Sequence, residues 1–444
     1  MKPVIRHTIF FLFLAFFFVS APLIVLYTAG YRYNVFNGQF VRTGVLSVTT
    51  NPRNADISLN KKSIRRSSPH VIKYLIPRSY LLTLTKDGYH TWEAEVEIKS
   101  GETTLVQQLL LFRDDEAVLL FERETKIVTL SPDGKRLAYL IGEGGWEEIW
   151  LYQIQDDEHK MIGRFISRAD EPVIELSWST DGGYLLAQNA ARPLVALYDQ
   201  NGSVLEIEPD LLKGWNKVFW HPSSDHLLYL ATAKKIQQYD LRDQSIMVFD
   251  DPNAATVVLD ASILTFVDNG TQIELQQFVG EERELIALLP RASYTIEERD
   301  GAYLIITDNE GSLFLLNIHA DQPILLQAEA RIFDWLDGKQ QLAYSDGYEV
   351  NVYDPLTHFT DFITRQGEEI KSLQWHPSGQ NILMATENSL TAIERYQIGN
   401  QRQRIILLQD VELNSFWINP DGQTAYIFGT IDGKTGLFAL RLMR

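Results

Sequence analysis

The pattern LSPDGKRLAYL, at residues 130–140, decides the fold, because variants of it recur along the rest of the chain. Clear copies are WSTDGGYLLAQ (178–188), WHPSSDHLLYL (220–230), WLDGKQQLAYS (335–345), WHPSGQNILMA (375–385) and INPDGQTAYIF (418–428), and degenerate copies are LDASILTFVDNG (259–270) and ERDGAYLIITDNEG (298–311). In each copy an apolar strand leads into a tight turn, where Pro presets φ and Gly supplies a positive φ. A second apolar strand follows. Residues 113–444 are therefore expected to hold eight units of roughly 41 residues, a length typical of four-stranded repeats.

Two further strands are expected in each unit. In the first unit they are residues 149–154 and the more polar 161–165. Four strands in ~40 residues are typical of a β-propeller blade. We predict eight blades, or seven if the two degenerate units are not both blades. The last unit ends after its third strand, so residues 117–122 are predicted to supply its outer strand and close the ring, which removes free sheet edges.

The copies that combine Trp or Leu, Ser or His, Pro, Asp or Ser, and Gly resemble the WD40-like repeat of the TolB propeller family. This resemblance implies the fold and is nearly uninformative about activity, because function resides in sites and not in folds. A tryptophan recurs at the end of the first strand and is predicted to pack blade against blade. The positions are Trp178, Trp220, Trp335, Trp375 and Trp417.

Residues 8–29, TIFFLFLAFFFVSAPLIVLYTA, carry no charge. As a helix rising about 1.5 Å per residue they cover about 33 Å, enough for a hydrocarbon core of about 30 Å. Lys2 and Arg6 precede them, which favours residues 1–7 as a cytoplasmic tail and the bulk of the chain as extracytoplasmic. We expect an uncleaved signal anchor, because the stretch is long for a signal peptide and Pro22 follows the candidate cleavage site. A cleaved signal peptide and a buried soluble helix are the alternatives.

Residues 44–112 alternate apolar and polar side chains between turn signals, which predicts a small β-sandwich. The segment resembles a PEGA domain. The matching residues are Pro52, Ala55, Asn60, Pro77, Tyr80, Lys86, Gly88 and Tyr89, whereas Asn54, Lys61 and Ser79 replace glycines of the family pattern. The resemblance implies an extracytoplasmic module of bacterial envelope proteins that has no catalytic residues of its own.

A basic turn lies within this domain and comprises Lys61, Lys62, Arg65 and Arg66. Because the domain follows the membrane segment by few residues, these side chains are candidates to contact anionic headgroups or wall polymers. A solvated loop is the alternative.

The best binding candidate is an acidic propeller face with an aromatic rim, formed by loops between strands and between blades. Its predicted members are Trp146, Glu147, Glu148, Asp170, Glu171, Asp250 and Asp251. Trp146 is expected in a Gly-rich loop, outside the position of the packing tryptophans. Solvated acidic loops are the alternative reading of the same residues.

Composition excludes several kinds of site. The chain has no cysteine, so disulfides, thiolate zinc sites, iron–sulfur clusters and Cys nucleophiles are excluded. The net charge of −18 divides into +3 over residues 1–32, +4 over 33–112 and −25 over 113–444, which argues against nucleic-acid binding. His221 and His376 occupy equivalent repeat positions and are predicted to be structural. No metal or other cofactor is expected.

These features favour a non-catalytic, membrane-anchored binding or scaffold protein of the bacterial cell envelope. Its propeller face would bind an envelope protein or a cell-wall polymer through many weak contacts. The alternative is an envelope enzyme, a glycan lyase or hydrolase, with a site in the propeller channel. Such an enzyme requires titratable groups that converge at the channel mouth.

Overall fold

The computed structural model describes residues 3–34, 38–166, 174–189, 192–207, 217–221, 224–231, 235–250, 256–259, 262–279, 282–399 and 401–443. Within these residues one helix is followed by strands and turns, so the expectation of an all-β chain with a single N-terminal apolar helix is confirmed. The helix, α1, spans Pro3–Thr28 and contains Pro22. An 18-residue window within Ile9–Thr28 has a mean hydropathy of 2.8, and none of it is buried in the described chain. By length and composition this helix is able to cross a membrane.

A β-hairpin follows the helix and consists of β1 (Tyr31–Asn34) and β2 (Gln39–Arg42). At its base, Thr43 donates hydrogen bonds from its backbone N (3.0 Å) and its Oγ1 (2.7 Å) to the carbonyl of Gly30. The end of the helix is therefore bonded directly to the start of the first domain.

The first domain is a two-sheet sandwich. Its strands are β3 (Gly44–Asn51), β4 (Asp56–Leu59), β5 (Lys62–Ile64), β6 (His70–Leu75), β7 (Arg78–Thr85), β8 (Trp92–Ile98) and β9 (Thr103–Leu110). One sheet has the order β6-β3-β9 and the other β5-β4-β7-β8. Alternation along each strand buries one face in a shared core, as in β8, where every second residue from Trp92 to Ile98 is buried. Because β3 starts beside the helix and β9 leads into the second domain, the sandwich lies between the two.

The second domain begins with β10 (Val118–Phe121), and its described residues form eight antiparallel sheets. The first two sheets hold β11 (Ile127–Leu130), β12 (Arg136–Glu143), β13 (Trp146–Gln153) and β14 (Glu158–Ile166), then β15 (Glu175–Trp178), β16 (Tyr184–Asn189) and β17 (Arg192–Asp199). The third and fourth hold β18 (Lys217–Trp220), β19 (Leu227–Ala231), β20 (Lys235–Asp240) and β21 (Ile246–Asp250), then β22 (Thr256–Leu259), β23 (Ser262–Asp268), β24 (Ile273–Val279) and β25 (Glu282–Leu289).

The remaining four sheets repeat the plan. The fifth and sixth hold β26 (Tyr294–Asp300), β27 (Tyr303–Asp308), β28 (Ser312–Asn317) and β29 (Ile324–Glu329), then β30 (Ile332–Leu336), β31 (Gln341–Ser345), β32 (Glu349–Asp354) and β33 (Phe359–Arg365). The seventh and eighth hold β34 (Ile370–Trp375), β35 (Asn381–Thr386), β36 (Ser389–Glu394) and β37 (Arg404–Gln409), then β38 (Glu412–Ile418), β39 (Thr424–Ile431) and β40 (Lys434–Arg441). In the first seven sheets the strands lie in chain order, and β38, β39 and β40 do so in the eighth.

Strand β10 is the fourth member of the eighth sheet, because it pairs antiparallel with β40. Phe121, at the end of β10, then packs on the first sheet, where its ring stacks 4.9 Å from that of Tyr139. The first and eighth sheets thus share one hydrophobic cluster. Other clusters join the first sheet to the second, the second to the third, the fourth to the fifth, and each later sheet to its successor.

The repeated turn owes its shape to a local polar network. In the first sheet, Ser131 Oγ donates to Asp133 Oδ1 (2.6 Å) and accepts from the N–H of Arg136 (3.0 Å). In the second sheet, Ser179 and Asp181 make the same bond at 2.8 Å. The glycine that follows each Asp has a positive φ, which explains the Ser-x-Asp-Gly pattern.

Candidate functional site

The eight sheets have two unlike ends, since connections in an antiparallel meander alternate between ends. We define the turn face as the end of the sheets where the first strand connects to the second, as at 131–135 and 376–380. The connections from the third strand to the fourth, such as 395–403, lie at the same end. We define the loop face as the opposite end, where the second strand connects to the third, as at 144–145 and 387–388. The connections from one sheet to the next, such as 366–369, also lie there.

Contacts between neighbouring sheets show that these ends align. Lys339, in a turn of the sixth sheet, donates from Nζ to the carbonyl of Gly379 in the equivalent turn of the seventh (3.1 Å). A Cβ on Gly134, in the first sheet, would lie only 1.9 Å from Oδ1 of Asn419 in the eighth. The turn face is therefore continuous across the junction of the last sheet with the first.

The sandwich domain packs on the turn face, beneath the seventh and eighth sheets. Trp92 donates from Nε1 to Oε1 of Glu394 at 2.7 Å, and both side chains are buried. Tyr89 donates from its hydroxyl to the carbonyl of Met443 (2.7 Å). Phe112, fully buried, belongs to the hydrophobic cluster of these two sheets. The sandwich therefore occupies part of the turn face and leaves the loop face on the far side of the domain.

The electrostatics of this contact centre on Glu394. Burial raises the pKa of its carboxyl to about 7, although hydrogen bonds from Trp92 Nε1 and from the N–H of Gln403 act in the opposite direction. The connection 395–403, which follows Glu394, is tied to the sixth sheet because Arg395 and Arg402 both form ion pairs with Asp361. Sequence reasoning missed this junction, since no motif marks any of its members.

On the loop face, Trp146 is 38% exposed and opens strand β13, so it lies one residue beyond the Gly-rich loop in which it was expected. The guanidinium of Arg164 lies 4.8 Å from the centroid of its ring. Glu148 pairs with Arg164 (3.2 Å), and the buried Glu147 pairs with Lys126 (2.8 Å). The two carboxylates are therefore neutralised, which leaves the indole of Trp146 as the accessible feature.

The other predicted members of the acidic face cannot be placed beside Trp146. Asp170, Glu171 and Asp251 lie outside the described residues. Asp250 is the last residue of β21, and its side chain also lies outside the described part of the chain. The acidic character of this face therefore stays a prediction.

A cleft of about 500 Å³ lies between the sixth and seventh sheets, along the outer strand β37, and opens on the loop face at residues 366–368. Sequence reasoning did not identify it. It is lined by Gln366, Gly367, Glu368, Thr386, Asn388, Ser389, Arg404, Ile406, Gln409 and Asp410. Arg404 donates from Nη1 to Oε1 of Gln366 across it (2.8 Å). Its amide, hydroxyl and charged groups suit a polar ligand.

The basic turn forms the tip and outer strand of the β4–β5 hairpin. All four side chains are exposed, and none forms an ion pair within the described residues. The strand register places Lys61 and Lys62 toward the helix, whereas Arg65 and Arg66 follow β5 back toward the second domain. The four charges therefore extend along one sheet edge and do not form a single cluster facing the helix.

The recurring tryptophans join successive sheets through their indole N–H groups. The bonds run from Trp178 to Thr129 O (3.4 Å), Trp220 to Ser177 O (3.1 Å), Trp335 to Asp300 Oδ2 (3.1 Å) and Trp375 to Asp334 O (3.2 Å). Trp417 packs against the cluster shared by the eighth and first sheets. His376 likewise donates from Nε2 to the carbonyl of Gly422 in the next sheet (3.0 Å). These side chains hold neighbouring sheets together.

Two carboxylates on first strands, which form one edge of each sheet, also accept hydrogen bonds from a tryptophan of the next sheet. Asp334 Oδ2 accepts from the N–H of Trp375 at 2.6 Å, and burial raises the pKa of Asp334 to about 7. Asp300 accepts from Trp335. Among the described residues, no three His, Asp or Glu side chains come close enough together to hold a metal ion.

Comparison with known proteins assigns one part of the chain to a family. Residues 43–111 match the PEGA domain model, which confirms the predicted PEGA domain and coincides with strands β3 to β9. No curated protein matches the chain. Among solved structures, a chain of the mitotic checkpoint complex is 14% identical, with a TM-score of 0.44, 74% of this chain covered and 91% of that one. Sqt1 of Saccharomyces cerevisiae is 10% identical, with a TM-score of 0.49 and coverages of 73% and 98%.

Proposed function

We propose that the protein is a non-catalytic scaffold of the bacterial cell envelope, anchored by α1 with residues 1–7 in the cytoplasm. In this proposal the eight sheets are the blades of a closed, TolB-like propeller held outside the membrane. Its loop face binds an envelope protein or a cell-wall polymer. The observation that carries the proposal is the position of the PEGA domain, which covers part of the turn face next to the helix and leaves the loop face directed away from it.

Two features of the loop face support binding there. The first is the exposed indole of Trp146, because tryptophan and arginine side chains often dominate the energy of protein interfaces. The second is the cleft between the sixth and seventh sheets, which reaches this face at residues 366–368 and offers both donors and acceptors. A rigid face with separate apolar and polar points suits a partner that makes many weak contacts.

The experiment is a pull-down with the full chain in detergent, using envelope extract and, separately, purified wall polymer. Three variants alter the loop face: Trp146→Ala, Glu368→Lys in the connection between the sixth and seventh sheets, and the pair Asp250→Lys with Asp251→Lys, which the sequence predicts to lie there. Phe359→Ala, an aromatic 60% exposed on the outer strand β33, is the matched control. We expect at least one loop-face variant to reduce a specific binding at least tenfold while the control retains it. Equal binding by all four proteins would reject the loop face as the site.

A further inference from the structure

The hairpin between the helix and the PEGA domain exposes an aromatic pair. Tyr33 on β1 and Phe40 on β2 pack edge to face, with ring centroids 5.4 Å apart, and remain 53% and 49% exposed. They are directly paired in the register of the hairpin. The hairpin starts only three residues after α1 ends, so these rings lie close to the plane in which the helix would leave a membrane.

Arg32 fixes the position of this hairpin. Its guanidinium lies 3.6 Å from the ring centroid of Tyr27 on the helix and 4.4 Å from that of Tyr74 on β6. Its Nη1 also donates to the carbonyls of Tyr27 and Tyr31, each at 2.8 Å. Helix, hairpin and PEGA domain are thus joined through one side chain. Tyr74 is itself 58% exposed beside the same junction.

Basic side chains lie at the same end of the PEGA domain as these aromatic residues. Arg42, Arg78 and Lys99 are exposed there, and Ser100 Oγ donates to the carbonyl of Arg42 (3.1 Å), which brings the connection between β8 and β9 against the hairpin. Glu97 and Glu102 are the nearby acids. Exposed aromatic rings mixed with an excess of cations match the interfacial region of an anionic bilayer, where amphipathic rings and basic groups are both favoured.

We propose that Tyr33, Phe40 and Tyr74 form a second membrane contact, in which the rings lie among the headgroups of an anionic phospholipid bilayer. Arg42, Arg78 and Lys99 bind the lipid phosphates. The contact holds the PEGA domain, and with it the second domain, in a fixed orientation on the membrane. The inference rests on the proposed anchor, because it is α1 that brings the hairpin to the bilayer.

The absence of cysteine allows a direct test with single nitroxide labels on the full chain. The labels are placed at Gln39 beside Phe40, at Phe13 within the helix and at Asp87 on the opposite end of the PEGA domain. The protein is reconstituted in nanodiscs of phosphatidylglycerol and phosphatidylcholine, and accessibility to oxygen and to a water-soluble nickel chelate is measured. We expect the Phe13 label to lie in hydrocarbon, the Asp87 label in water and the Gln39 label at headgroup depth, with several-fold less access to the chelate than the Asp87 label.

The outcomes separate this inference from the anchor. A Phe13 label in hydrocarbon with a Gln39 label as accessible as that at Asp87 would overturn the second contact and leave the anchor standing. A Phe13 label in water would overturn both.

A second measurement uses the Gln39 label in the variant Tyr33→Ser with Phe40→Ser. Loss of the rings is expected to raise chelate access several-fold while the Phe13 label stays in hydrocarbon. Unchanged access would overturn the role of the rings. Unchanged access in pure phosphatidylcholine would overturn the role of the basic residues.

Discussion

Trp92 and Glu394 are 302 positions apart in the sequence, yet they form a buried hydrogen bond that joins the two domains. A buried carboxylate is costly unless its oxygens are engaged, and here one oxygen accepts from Trp92 and the other from the N–H of Gln403 (3.3 Å). Because Glu394 is buried at this contact, the pKa of its carboxyl depends on the contact between the two domains.

The first prediction concerns pH. The pKa of Glu394 is raised from 4.5 to about 7 by burial, so protonation favours the folded state. This contribution is full below pH 4.5 and is lost as the pH rises through 7, an effect on the order of 3 kcal/mol at about 1.4 kcal/mol per pKa unit. We expect the melting temperature of the full chain to fall between pH 5 and pH 8, and to fall less in Glu394→Gln.

Asp334 acts in the same direction, because burial raises its pKa to about 7 as well. A residual slope is therefore expected in Glu394→Gln, and it should decrease further when Asp334→Asn is added. An identical pH profile of melting for the parent and both variants would contradict the assignment.

The second prediction concerns Gly399, in the connection 395–403. Its φ is +69°, and a Cβ there would lie 1.6 Å from the carbonyl oxygen of Glu95 in the PEGA domain. Gly433 has a φ of +75° with open space around it, so it is a control for backbone strain alone, about 1–2 kcal/mol. Gly399→Ala should therefore lower the melting temperature clearly more than Gly433→Ala. Equal losses of melting temperature in the two variants would mean that the close approach of Gly399 to Glu95 does not affect stability.

Residue-level features were predictable only where they are local. The Ser-x-Asp-Gly turns follow from hydrogen bonds that span two to five positions, as between Ser131 and Arg136. The contact of Trp92 with Glu394 has no local signal, because alternation along β8 predicts burial of Trp92 but not its partner. Trp146 was misplaced by one residue because glycines predict a turn without fixing where pairing resumes.

At the scale of elements, β10 is the segment on which the junction of the first and eighth sheets depends. It contributes the outer strand of the eighth sheet, and its Phe121 is buried against Tyr139, Tyr152 and His159 of the first. The pairing followed from counting strands, since the last unit lacks a fourth. The aromatic packing that accompanies it has no signal in the sequence, because it joins side chains from two sheets.

The third prediction tests this element. Phe121→Ala should destabilise the second domain by about 3 kcal/mol, since it empties a packed aromatic site. Val118→Ala, on the same strand but 62% exposed, is the matched control and should change stability little. Urea unfolding followed by tryptophan fluorescence measures both. Comparable losses in the two variants would argue that β10 acts through its backbone pairing alone.

At the scale of the whole molecule, the sequence predicts the charge distribution but not how the two domains dock. The excess of acid in residues 113–444 and of base before them is readable from the sequence. The sequence does not show which part of the second domain contacts the PEGA domain, because every sheet offers similar turns at the same end. The choice depends on Phe112, on Glu394 and on the irregular connection 395–403, which are features of the seventh and eighth sheets and of the link into them.

The fourth prediction follows from that docking. The PEGA domain shares a hydrophobic cluster and a buried hydrogen bond with the second domain, so the two should move as one body. Nitroxide labels at Arg65→Cys and Lys434→Cys, one exposed site on each domain, should give a single narrow distance distribution by dipolar spectroscopy.

Adding Asp361→Asn, which removes the partner of Arg395 and Arg402, should broaden this distance distribution by loosening the connection 395–403. Adding Asp432→Asn at an exposed turn should not. A broad distribution in the parent protein would mean that the domains move independently, and the loop face would then have no fixed direction relative to the membrane.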